Sequence, residues 1–242
     1  MADKPDKPIL ATLTGEYFQP VRLHYEVFNH EGLMRAFKKL RCLDFDPTQQ
    51  RWVWLYDYEA KNLKFKQSYA QIPKHLHPMV IGSIFLRGTD KMLLDLRSCE
   101  RATLAVPFFD KHISRSLAKV TEAEVANKLF SAIENQKLTP DAIFDHQDST
   151  YRDPAAAMQR IIEQTVNIQD PQERIRVALE EMESPAKRPL PEIERFPIHY
   201  YEDGIQGFVT ALRIRQIVAL QHWLGNSEYT MFDVLQSMQK SM

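Results

Sequence analysis

Glycine is scarce, with 7 residues in a chain of 242, against 14 prolines. Loops that cradle phosphate rely on glycine for close backbone approach, and the sequence holds neither a Walker loop nor a GxGxxG fingerprint. Cysteine is rarer still: Cys42 and Cys99 lie far apart and outside any CxxC spacing. That excludes a disulfide framework and a zinc ribbon, and makes a reducing cytoplasm the expected setting. No run approaches the roughly 20 apolar residues of a membrane span. The stretch Met1–Pro8 is polar and has no apolar core of the kind a signal peptide carries. GxSxG and HExxH are missing too, so the sequence announces no ready-made nucleophile or metal site, and no cofactor is expected.

The rest is an ordinary globular composition, 44% hydrophobic and 26% charged. The formal charge of −1 hides an asymmetry. Residues 1–119 carry 19 Lys/Arg against 13 Asp/Glu, whereas residues 120–242 carry 12 against 19. Such a split suits two parts of one molecule that attract each other, or a basic binding face. It coincides with a change in pattern, from which an α+β sheet domain over residues 1–119 and a helical region over 120–242 are expected, the second packed on the first or standing apart.

The sheet reads most clearly in Val80–Arg87 and Lys91–Arg97, joined by the turn Gly88-Thr89-Asp90. Ala102–Phe109 repeats their apolar character and reads as a third consecutive strand. Val21–Phe28 alternates Val21, Leu23, Tyr25 and Val27 with Arg22, His24 and Glu26, the pattern of a half-buried strand. Asn29 then caps a helix to about Arg41 that buries Leu33, Phe37 and Leu40, with Phe28 and Leu33 placed as a hydrophobic staple. Arg51–Tyr58 projects Trp52, Trp54, Tyr56 and Tyr58 to one face, and Leu63–Lys66 reads as its returning partner. Packing beneath a helix is the plain role of such a row. The functional alternative is a stacking platform for single-stranded nucleic acid, flanked by Lys61, Lys64 and Lys66.

Two pairs of potential metal ligands, His75/His77 and Asp110/His112, could meet above the sheet, and Asp145-His146 with Asp148 reads as a polar loop. Beyond Val120 the pattern turns helical. Thr121 with Glu124 matches a capping box ahead of Val125, Leu129 and Ile133. Thr139-Pro140, Asp153-Pro154 and Asp170-Pro171 each set proline at a first helical position. The last two open helices lined by Met158, Ile161, Ile162 and Thr165, and by Ile175, Ala178, Leu179 and Met182. Ser184–Pro197, with four prolines, reads as an extended linker. Tyr201–Leu224 is a long helix apolar on two sides, where Arg213 and Arg215 would need acidic neighbours if buried. Ile214, Ile217 and Val218, with Met231 and Met238 of a terminal helix, are its candidate partner-binding residues.

The expectation is an α+β protein with a mixed or antiparallel sheet of five to seven strands in the N-terminal half and helices after it. Its function is expected to be that of a non-catalytic interaction or regulatory protein, binding a protein partner or itself through the helical half. Single-stranded nucleic-acid binding on the aromatic strand, or an enzyme with an unrecognised His/Asp site, are the alternatives.

Overall fold

The computed structural model of the chain describes residues 7–133, 138–145 and 148–240. Its elements run β1 (Val21–Val27), α1 (His30–Phe37), β2 (Leu43–Asp46), β3 (Arg51–Leu55), β4 (Val80–Arg87), β5 (Lys91–Leu96) and α2 (Cys99–His112). There follow β6 (Ala118–Ala126), α3 (Pro140–Phe144), β7 (Thr150–Tyr151), α4 (Pro154–Thr165), α5 (Pro171–Glu183), β8 (Ile193–Pro197), α6 (Tyr200–Asp203), α7 (Ile205–Trp223) and α8 (Met231–Lys240). The eight strands form one mixed sheet in the order β2-β3-β4-β5-β1-β6-β8-β7, with β7 alone parallel to its neighbour. This is the expected α+β class, with one strand more than the five to seven expected.

The centre of the sheet is β4-β5-β1-β6, connected as β1-α1-β4-β5-α2-β6 once the β2–β3 hairpin is set aside. That is the split βαβ arrangement, in which each crossover helix spans the strand lying between the two it joins. Both crossovers lie on one side of the sheet, which explains the strict alternation in β1. Val21, Leu23, Tyr25 and Val27 face the helices and are buried, whereas His24 and Glu26 face away. Packing around β4 is close: a Cβ on Gly82 would stand 3.0 Å from Leu96, 3.1 Å from Leu94 and 3.2 Å from Trp54, so any larger residue would push these neighbours aside. The β4–β5 turn uses Gly88 at φ +68°, the left-handed conformation that glycine adopts at least cost.

Five local expectations are corrected. Ala102–Phe109 is not a strand but the middle of α2, capped by the Ser98 side chain, which accepts from the Arg101 N–H. Thr121 and Glu124 do not open a helix; they lie in β6, which pairs with β1 and carries the sheet across residue 119. The proline-rich segment ends in β8, which pairs with β6 from Glu122↔Pro197 to Ala126↔Ile193. Leu63–Lys66 makes no strand; the chain after β3 winds through a 3₁₀ turn at Tyr58–Asn62 instead. Asn29 does cap α1, accepting from the Gly32 N–H at 2.8 Å, but Phe28 is exposed and staples nothing. The three Pro-led helices are present as expected, with the Asp153 and Asp170 side chains accepting backbone N–H groups at the starts of α4 and α5.

Candidate functional site

The aromatic row of β3 lies inside. Trp54 is fully buried and meets Phe108 and Phe109 of α2, both ring pairs at 5.0 Å. Trp52 packs edge-on to Phe37 of α1, and Tyr56 packs against Phe65 and Tyr69. These three rings therefore give no stacking platform. Tyr58 is exposed, with the Arg41 guanidinium 4.0 Å above its ring, and Lys64 and Lys66 are exposed beyond it.

Two of the four proposed metal ligands, His77 and Asp110, are engaged by other partners. His77 Nε2 meets the Ile72 carbonyl at 3.0 Å, and the Asp110 carboxylate takes two hydrogen bonds from Arg115. His112 stacks at 4.7 Å on Phe108, and His75 is exposed. Among the described residues, no group of three or more His, Cys, Asp or Glu side chains is arranged to hold a metal. His146 lies outside the described residues.

The partner residues placed on the last helices are also mostly covered. Val218 is fully buried, Ile214, Ile217 and Met231 are half-buried, and Met238 is exposed. Arg215 is buried and has the acidic neighbour it requires: its Nε donates to Glu194 of β8 at 2.8 Å.

Two surfaces stand out once these are set aside. The first is the face of the sheet opposite α1 and α2. Arg22 makes a bidentate contact with Asp95 at 2.6 and 2.9 Å and a third bond to Asp145 at 2.6 Å. Burial opposes the charge, but the hydrogen bonds and attraction of Asp95, then Asp145, hold the Arg22 pKa above its ordinary value. Beside them His24 Nε2 lies 3.2 Å from the buried Glu124 carboxylate, and Arg195 donates to Glu122. A cleft of about 380 Å³ opens here, lined by His24, Glu26, Leu93, Thr121 and Arg195 among others. His24 and Glu124 are engaged with each other, and Arg22 and Arg195 are each paired with a carboxylate of the protein itself.

The second surface is the α4–α5 hairpin, closed by residues 166–170. Its seam is made by half-buried Ile161, Val177 and Ala178 and by Thr165, the one buried residue of the two helices. Met158, Ile162 and Val166 recur at i, i+4 and i+8; Ile175, Leu179 and Met182 recur at i, i+4 and i+7. All six are between 50 and 66% exposed. At about 100° per residue, each stripe sits roughly a quarter to a third of a turn from the seam. The rotation has the same sense on both helices, and the helices run in opposite directions, so the two stripes open on one side of the hairpin. The sequence names five of these six residues as helix lining, but mixes them with Ile161, Thr165 and Ala178 of the seam and does not show that the sheet leaves them uncovered. No protein-family model, curated protein or solved structure matches the chain, so its own geometry carries the functional reading.

Proposed function

We propose that this chain is a non-catalytic interaction protein that self-associates through the apolar side of the α4–α5 hairpin. The carrying observation is the pair of exposed stripes. Six side chains at half exposure or more present on the order of 600 Å² of apolar surface, the upper limit for a typical monomer. With a polar rim this approaches the roughly 800 Å² per partner of a stable interface. Two such hairpins laid side to side complete a four-helix bundle, and a two-fold axis lets the same surface serve both copies. The two free, buried thiols suit the reducing cytoplasm expected for it.

The hairpin also sets the salt response. Residues 153–183 hold seven carboxylates and three guanidinium groups. Like charges at the rim oppose association, and salt screens them, so self-association strengthens with ionic strength. A nucleic-acid complex would weaken under the same change. Light scattering across a concentration series is the test. The wild type is expected to dimerise and the double variant Ile162→Glu/Leu179→Glu to remain monomeric with unchanged circular dichroism. A wild type that is monomeric at about 100 µM, where even a weak dimer would be populated, overturns the reading.

A further inference from the structure

We propose that the groove between α4 and the proline-rich segment is a binding site for a small organic phosphate with a flat apolar body. The groove measures about 740 Å³, within the range of small-molecule sites. Tyr151 of β7, Arg152 just after it and Arg160 of α4 line one wall. Pro185, Arg188 and Pro189 of the segment before β8 are among the residues facing them, with Phe196 and His199 also in the lining. Aromatic and proline faces beside convergent cations are the complement of a planar group carrying an anion.

The charge balance points the same way. Glu194 is fully buried, and two guanidinium groups share its carboxylate: Arg215 from α7 and Arg152 from the groove. One carboxylate against two cations leaves positive charge in a poorly hydrated place, which an added anion would offset. Burial, then the charge of Arg215 acting against the pull of Glu194, depresses the Arg152 pKa. The Arg152 side chain is 28% exposed and so remains within reach of the groove. Arg160 and Arg188 have no carboxylate partner among the described residues; Arg188 Nη2 contacts only the Ser184 hydroxyl, at 3.3 Å. The acid at the groove, Asp153, is engaged as the α4 cap by the N–H groups of Ala155 and Ala156. Guanidinium forks are suited to phosphate oxygens, two bonds at a time.

Room for the apolar body is present next to the cations. Phe196, Pro197 and His199 also line a second recess of about 250 Å³, together with Phe208, Ala211 and Gly207. A Cβ on Gly207 would meet nothing within 4 Å, so the recess is open at that point. The groove and the docking stripe lie on different sides of α4. Ala157 and Arg160 line the groove, while Met158 and Ile162 belong to the stripe. The site therefore stands independently of self-association.

The test is a titration of the full chain with 1-naphthyl phosphate, followed by the anisotropy of its own fluorescence, with inorganic phosphate as competitor. Binding is expected, weakened about tenfold by Arg160→Ala or by Arg188→Ala, since each removes a charge-assisted contact. Both residues are exposed, so the variants should fold, as circular dichroism will verify. Inorganic phosphate should compete at least about tenfold less well, because it lacks the body that fills the recess. The Ile162→Glu/Leu179→Glu variant should bind as the wild type does. The proposal is overturned by no binding, by binding that survives the combined loss of Arg160 and Arg188, by equal affinity for inorganic phosphate, or by loss of binding in the stripe variant.

Discussion

Asp95 holds Arg22 where neither charge could stand alone, since both side chains are at most 5% exposed. Removing the carboxylate leaves a guanidinium in the sheet with only the more exposed Asp145 to answer it. Asp95→Ala should therefore cost about 3 kcal/mol, the low end for an orphaned buried charge, because Asp145 stays. Urea unfolding measures it; a loss below about 0.5 kcal/mol, the size of an ordinary surface substitution, would show that the pair is not holding the sheet. None of this pairing is visible in the alternation of β1, which marks Arg22 only as a residue on the polar side. A two-residue period tells which face a side chain takes, not whether something covers that face. Here α3 supplies the cover, with Phe144 5.2 Å from the guanidinium. Arg215 is the opposite case. Its position in an apolar stretch of α7 was enough to require an acidic neighbour, although the sequence could not name Glu194.

At the scale of elements, the starts of α1, α4 and α5 are the most legible signals, because a cap is local chemistry, although the same kind of pattern at Thr121 and Glu124 lies in a strand. Asn29, Asp153 and Asp170 each accept the backbone N–H groups their position requires. Faces were less legible. α2 is buried along Ala102, Ala105, Val106 and Phe109, against the sheet and α7, so its short apolar run lacks the polar stripe that separates a helix from a strand. β6 fails for another reason: the register shifts between His24 and Tyr25 of its partner, and a bulge breaks the two-residue period. The α4–α5 hairpin looks like any amphipathic pair in sequence, yet it packs little against the rest. Replacing residues 154–183 by a short glycine–serine linker should leave the urea midpoint of the sheet nearly unchanged and abolish the dimer. A large drop in stability would mean that the stripes are covered by their own chain.

Across the whole molecule, the charge asymmetry of the two halves does correspond to contacts between them. Asp145 of the second half answers both Arg22 and Arg87 of the first. Nor can the C-terminal helices be spared. α7 buries Phe208, Leu212, Val218 and Ala219 and supplies the Arg215 that meets Glu194. A chain ending at residue 199 should thus lose its near-ultraviolet circular dichroism and aggregate; a soluble, native-like truncation would show that the sheet is self-sufficient. The split connection has a cost in time as well. β1 is synthesised before both of its neighbours, which pair with it at Val21↔Leu96 and Val21↔Val125. At about 5–20 residues per second, the ribosome needs roughly 5–20 s more to deliver the second of these strands. Until β5 arrives the strand at the centre of the finished sheet has both edges open, and one edge stays open until β6 follows. For that time the nascent chain exposes an apolar strand of the kind that holding chaperones bind.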